Sequence, residues 1–141
     1  MMSMGQNTIV LKWSLLAGAL YFFAVACVHL VGFKVPVLYI YFDVPSSVYQ
    51  DRIISFLAFG WAACFFTAYS EPEKYRSLVR AILFAGAYAI VMLCIINGSA
   101  DVNAAISVSS ADVFRVETAG LFFYWLWLLV FFFRSRASRD S

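Results

Sequence analysis

Hydrophobic residues in this chain form four long runs separated by short polar links. The runs cover about residues 9–31, 52–70, 78–97 and 114–133. Each approaches the ~20 residues that a helix needs to cross ~30 Å of hydrocarbon. Membrane-crossing strands would alternate apolar and polar residues over ~10-residue segments, and these runs do not. The pattern predicts an all-α, polytopic integral membrane protein, with residues 1–141 forming a single domain of four transmembrane helices.

The composition supports a membrane environment. Of the 141 residues, 64% are hydrophobic and 13% are charged, against roughly 45–50% and 25% in soluble domains. The mean hydropathy is +0.85. A soluble domain of this size could not bury so much apolar surface, so the lipid bilayer is the first partner that the sequence implies. The net charge of +2 gives no support for a nucleic-acid partner.

Lysine and arginine positions predict the orientation, because cytoplasmic segments are enriched in both. With the N-terminus inside, the cytoplasmic residues are Lys12, Lys74, Arg76, Arg80, Arg134, Arg136 and Arg139. The outer ones are Lys34, Arg52 and Arg115. This split predicts that both termini are cytoplasmic (N-in/C-in). The tight loops suit a bacterial inner (cytoplasmic) membrane.

Small residues suggest how the helices pack, since membrane helices approach closely where side chains are small. Helices 1–3 are expected to form a tight core through Ser14, Gly18, Ala58, Gly60, Ala62, Cys64, Ala81, Ala85, Gly86 and Ala89. The link Ser70–Ser77 is short, which predicts an antiparallel hairpin of helices 2 and 3. The aromatic run Leu121–Phe133 predicts that helix 4 faces lipid or a partner, and Ser109 is expected to cap this helix.

The link 32–50 stays hydrophobic although it follows a membrane-length run. Its aromatic residues suit the membrane–water interface, where a ring meets lipid and a hydroxyl meets water. We therefore expect the link to lie along the outer membrane boundary, with Asp43 facing water. The interfacial residues would be Tyr39, Tyr41, Phe42 and Tyr49.

Polar residues collect at the outer ends of the predicted helices. They are His29, Asp51, Arg52, Asn97, Asp101, Arg115 and Glu117. In one interpretation they only fix helix register through ion pairs, such as Arg52 with Glu117 or Asp51 with Arg115. In the other they line a cavity in which His29 and Glu117 exchange protons, since a histidine beside a carboxylate can titrate near neutral pH. The sequence leaves both interpretations open.

The sequence lacks the residues that several known activities require. The single histidine cannot supply a bis-histidine haem or a multi-histidine metal site. HExxH, GxSxG, Walker A and GxGxxG patterns do not occur in the chain. We therefore assign no catalytic residue, no metal site and no resident cofactor, and only a quinone or a lipid stays open as a ligand.

The middle of the chain, Asp51–Asn97, resembles the DoxX-like small four-helix membrane proteins. The features that carry the likeness are an arginine opening helix 2, glycine and alanine in helices 2 and 3, and a short turn containing Pro72. Some members of that group are subunits of quinone-linked oxidoreductases. The resemblance implies the four-helix fold and transfers no catalytic residue. The aromatic link and the phenylalanine-rich helix 4 depart from the group's pattern.

Two functions follow as expectations. The first is a structural or accessory subunit of a larger membrane assembly, partnered by other membrane subunits or by copies of itself. The alternative is a membrane redox partner that binds quinone or another small molecule at the outer polar residues. Convergence of His29, Arg52 and Glu117 around a pocket would favour the alternative, and a filled cluster would favour the subunit.

Overall fold

The computed structural model of the chain describes residues 4–39, 41–99 and 107–135. These contain four α-helices and no β-strand. The helices are α1 (Met4–Val31), α2 (Val48–Ser70), α3 (Arg76–Asn97) and α4 (Val108–Arg134). Each is long and apolar enough to cross a membrane. The all-α, four-helix prediction is confirmed for this part of the chain, whereas Asp101, Arg136 and Arg139 lie outside it.

α2 and α4 begin before their apolar runs because polar caps start them. Ser47 caps α2 in a reciprocal capping box with Gln50. Ser107 caps α4, and its hydroxyl accepts from the Ser110 N–H at 3.3 Å. The predicted cap at Ser109 was wrong, since this residue lies inside the helix. An apolar run in the sequence therefore indicates the hydrophobic part of a helix and not its first turn.

The end of the bundle where α1 stops and α2 begins is called the loop end, and the end with residues 71–75 the turn end. α1 packs along α2, and α4 packs against α3 and α1. α2 and α3 follow each other in the chain, yet they contact each other less than any of these three pairs do. The predicted core of helices 1–3 with a peripheral helix 4 was therefore wrong, because α4 buries Phe114, Leu128, Phe131 and Phe132.

The core divides into two clusters. The larger one joins α1, α2, α3 and α4 through residues such as Leu15, Phe65 and Leu83. The smaller one, nearer the loop end, contains Val25, Ala26 and Ala58. Small residues do bring α1 and α2 together, as predicted.

Large apolar side chains cover the outside of the bundle. Phe84 is 79% exposed and Trp13 is 59% exposed. Cys27, Cys64 and Cys94 are unbridged and exposed on the same apolar surface. So many exposed large apolar side chains are unusual for a soluble monomer, whose apolar patches are usually limited to a few hundred Å².

Candidate functional site

The link between α1 and α2 folds over the loop end and contacts all four helices. Gly32, at φ 70°, ends α1 in the left-handed conformation. The Phe33 N–H then donates to the Val28 carbonyl at 2.9 Å. The chain turns back across the bundle, so the link is a folded cap and not only a segment along the boundary.

Tyr39 of this cap is buried between α1 and α2. Its ring stacks on His29 with centroids 4.0 Å apart, and its hydroxyl donates to Asp51. The hydroxyl also lies 2.8 Å from Ser46 Oγ, and His29 Nδ1 lies 3.8 Å from Asp51 Oδ1. Burial, and then the hydrogen bond to Asp51, raises the pKa of Tyr39. Tyr39 was expected to place its ring in lipid and its hydroxyl in water, which was wrong, because it is 1% exposed.

Tyr41 joins the cap to α3 and α4. Its hydroxyl donates to Asn97 Oδ1 at 3.0 Å, and Asn97 Nδ2 donates to Thr118 Oγ1 at 2.8 Å. Burial, and then the charge of Glu117, raises the pKa of Tyr41. Both polar atoms of the Asn97 side-chain amide thus have hydrogen-bond partners within the bundle.

Asp43 fastens the cap to the start of α4. Its Oδ2 accepts from the Ser110 hydroxyl at 2.6 Å, from the Ser107 hydroxyl at 3.2 Å and from the Ser107 N–H at 3.3 Å. The carboxylate also lies beside the positive end of a helix dipole. The Ser110 hydroxyl and then the Ser107 N–H lower the pKa of Asp43. Asp43 is exposed, as predicted, but it is bound to α4.

We expect acid to loosen the cap through Asp43. Because its folded-state pKa lies below the ordinary value of 3.8, its contribution is complete above that value and is lost as pH falls through the folded-state pKa. Hydrogen exchange of residues 41–47, followed from pH 6 to pH 3, should show protection falling in this window. Asp43→Asn should exchange faster at pH 6 and show a weaker pH dependence. Equal profiles for both chains would contradict this role.

Glu117 lines a small chamber that adjoins the cluster of Tyr41, Asn97 and Thr118. Its Oε1 accepts from the Val37 N–H at 2.7 Å, and the Tyr21 hydroxyl donates to the Val37 carbonyl at 2.8 Å. These two side chains hold Val37 at φ 73°, a conformation that is costly for a β-branched residue. The chamber has a volume of about 100 Å³. Its remaining lining residues are Phe22, Val25, Tyr41, Leu93, Phe114, Thr118 and Leu121.

The predicted polar residues therefore do not form one site. His29 and Asp51 lie together on one side of the cap, whereas Asn97 and Glu117 lie on the other. Arg115 pairs with Asp112 at 3.1 Å on the exposed surface, and Arg52 is exposed at the start of α2. Neither expected ion pair, Arg52 with Glu117 or Asp51 with Arg115, is present among the described residues. Asp101 lies outside them.

A larger apolar crevice lies between α2 and α3, which supply most of its lining, and it is completed by residues of α1 and α4. Its volume is about 390 Å³, within the roughly 300–1,000 Å³ typical of small-molecule sites. Ala58 and Trp61 of α2 face Ala89 and Ile90 of α3 across it. Its wall and that of the Glu117 chamber share Phe22, Val25, Leu93 and Leu121. The two spaces are thus neighbours, one apolar and one containing a carboxyl group.

Sequence reasoning missed the partners that complete these clusters. Tyr39 and Tyr41 were recognised only as aromatic anchors, and Tyr21 and Thr118 gave no signal inside their apolar runs. The strained backbone of Val37 has no sequence signature at all. The crevice was also missed, because its small residues predicted contact between α2 and α3.

The structure separates groups that a metal site or a proton relay would need to bring together. In the described ranges no group of three His, Cys, Asp or Glu side chains could hold a metal ion. His29 and Glu117 lie in different clusters, so the expected proton exchange between them has no direct path. No protein-family model, curated protein or solved structure matches the chain.

Proposed function

We propose that this protein is a multi-pass membrane protein that binds a hydrophobic small molecule, such as a quinone, an isoprenoid or a lipid. The crevice between α2 and α3 carries the proposal. Two consecutive helices joined by a short turn would be expected to pack closely, yet they leave a ligand-sized apolar space. A second, smaller space with a carboxyl group adjoins it.

The membrane location rests on the helices and on the surface. All four helices have the length and hydropathy of membrane spans, and bulky apolar side chains cover the exterior. The turn end carries Lys12, Lys74, Arg76, Arg80 and Arg134, which supports placing it in the cytoplasm. The loop end would then face outward across an inner membrane, and both termini would be cytoplasmic.

The two spaces suit different parts of one ligand. An isoprenoid or acyl tail would fill the crevice, because nearly every residue that lines it is apolar. A hydroxyl group at the head of the ligand could reach Glu117, whose Oε1 is engaged by Val37. Phe22, Val25, Leu93 and Leu121 stand between the spaces, so rotation of these side chains would join them. The Glu117 carboxylate would then serve both the Val37 N–H, from which it already accepts a hydrogen bond, and the head of the ligand.

A crevice-filling variant tests the proposal. Ala89→Phe should reduce the apolar ligand that co-purifies with the chain by about tenfold, because the added ring occupies the tail space. Ala119→Phe is the matched control, since Ala119 is exposed on α4 and lines none of the described spaces. Glu117→Gln should weaken retention of hydroxyl-bearing ligands more than that of hydrocarbon tails, since hydrogen bonds to a charged acceptor are about twice as strong.

The measurement is native mass spectrometry of chain purified in mild detergent, followed by extraction and identification of the bound molecule. Circular dichroism should show equal helix content in all variants. Ligand retention that is unchanged in Ala89→Phe would refute binding in the crevice. A chain that never carries a hydrophobic molecule, even after incubation with a ubiquinone analogue, would refute it as well.

The accessory-subunit role is the second candidate, and a different surface favours it. A shallow groove on the outside of α2 and α3 is lined by small residues that include Gly60, Cys64, Ala81 and Ala85. A Cβ atom added at Gly60 would meet nothing within 4 Å, so the fold of this chain does not require glycine there. Small residues on adjacent helices suit close approach of another membrane helix. Stoichiometric co-purifying proteins that are lost in Gly60→Leu would support this candidate.

A further inference from the structure

Another groove, lined by apolar and basic residues, lies between α3 and α4 near the turn end. Its volume is about 510 Å³. The small side chain of Ala87 leaves its floor open, and Trp125 is fixed beside it because the indole N–H donates to the Leu83 carbonyl at 2.7 Å. Phe84 and Phe133 form exposed apolar walls. The groove shares only Trp125 with the crevice between α2 and α3.

Two arginines stand at the turn end of this groove. Arg76 and Arg80 are four residues apart on α3, which places them about one helical turn from each other on one face. Arg76 donates to the Phe132 carbonyl at 3.2 Å and to Ser135 Oγ at 3.4 Å. Its guanidinium also lies 4.6 Å from the centre of the Phe132 ring. These contacts hold Arg76 at the groove.

The described residues that line the groove carry charge of one sign. No Asp or Glu is among the described residues that line it, and Arg80 is exposed and takes part in no ion pair within the described ranges. The groove therefore combines a doubly cationic end with an apolar floor. Its occupant should have an anionic group next to a hydrocarbon chain.

We propose that this groove binds an anionic phospholipid. The phosphate would lie at Arg76 and Arg80, because guanidinium groups donate paired hydrogen bonds to phosphate oxygens. One acyl chain would run over Ala87 between Phe84 and Trp125. Basic pockets between membrane helices on the cytoplasmic side are typical sites for anionic headgroups. The inference rests on the membrane location proposed above and is independent of a ligand in the crevice.

Lipid titration of the full-length chain tests this site. In mild detergent, phosphatidylglycerol should form adducts in native mass spectra at lower concentration than phosphatidylcholine with the same acyl chains. Arg80→Gln should weaken phosphatidylglycerol binding by about fivefold, the effect expected for one basic side chain near a membrane surface. Arg52→Gln is the matched control, because Arg52 is an exposed arginine at the opposite end of the bundle. It should leave the preference unchanged.

Two further variants separate charge from shape. Arg80→Lys should retain part of the preference, since it keeps the charge and loses the paired donors. Ala87→Trp should reduce adducts of both lipids by filling the floor, with helix content unchanged by circular dichroism.

Four outcomes would overturn the proposal. One is equal affinity for the two lipids, and another is an equal effect of Arg80→Gln and Arg52→Gln. The third is competition by inorganic phosphate at the concentrations at which lipid binds, which would identify a site for free phosphate. A dimer that excludes lipid, lost in Ala87→Trp, would assign the groove to a second copy of the chain and would equally refute lipid binding. Loss of crevice ligand in Ala89→Phe with the lipid preference intact would separate the two sites.

Discussion

Gly18→Ala should destabilise the protein by about 1–3 kcal/mol, the usual cost of overpacking a filled core. A Cβ atom at Gly18 would lie 2.6 Å from Cδ1 and Cε1 of Phe65 and would also collide with the Tyr124 hydroxyl. Phe65 is 3% exposed and packs in the larger core cluster. The Tyr124 hydroxyl donates to the Ser14 carbonyl at 2.7 Å. Neither neighbour can move without losing core contacts, so α1, α2 and α4 must separate.

Gly60→Ala provides the control for this prediction. Gly60 also lies within a helix, but an added Cβ atom would meet nothing within 4 Å. Because alanine favours helix over glycine, this variant should be neutral or slightly stabilising. The free energy of unfolding, measured by denaturation with sodium dodecyl sulfate in mixed micelles, should fall for Gly18→Ala and not for Gly60→Ala. Equal stabilities would show that the three helices do not meet at Gly18.

The sequence predicted the helices well because their lengths follow from hydropathy. Four apolar runs of membrane length produced four helices, and the contact of α1 with α2 through Gly18 and Ala58 followed from small side chains. The same rule failed for α2 and α3. Gly60 and Ala85 suit a close helix contact and an open groove equally, so composition alone could not distinguish the two.

The candidate site was predictable only in part. Asp51 and Asn97 were recognised as polar residues at helix ends, but their partners lie 12 and 56 residues away in the chain. Those partners, Tyr39 and Tyr41, reach them because the cap folds back through left-handed residues. Val37 and Tyr41 adopt φ 73° and 54°, which neither residue type favours. Long-range contacts imposed this backbone, and local sequence carries no record of it.

The aromatic run of α4 is a further feature whose packing the sequence predicted only in part. The run predicted a lipid-facing wall, and Phe123 is indeed 67% exposed. Phe131 and Phe132 of the same run are buried in the core. Because the run is apolar on every face, its pattern contains no period that would separate the buried side from the exposed one.

Asp51→Ala should destabilise the cap by about 3 kcal/mol, the range observed when a buried charged hydrogen-bond partner is removed. The buried hydroxyl of Tyr39 would lose its acceptor, and His29 would lose the carboxylate 3.8 Å away. The cap would then detach from the junction of α1 and α2. Hydrogen exchange should rise first in residues 33–39, where the Tyr39 N–H now donates to the Val35 carbonyl at 2.8 Å.

Two controls separate this buried role from simple loss of charge. Asp112→Ala removes an acid that pairs with Arg115 on the exposed surface, where ion pairs contribute about 1 kcal/mol or less. Asp51→Asn keeps an acceptor oxygen for Tyr39 and should recover part of the loss. If Asp112→Ala proved as damaging as Asp51→Ala, net charge would be the cause. If Asp51→Asn proved as damaging as Asp51→Ala, the charge of the carboxylate would outweigh the hydrogen bond from Tyr39.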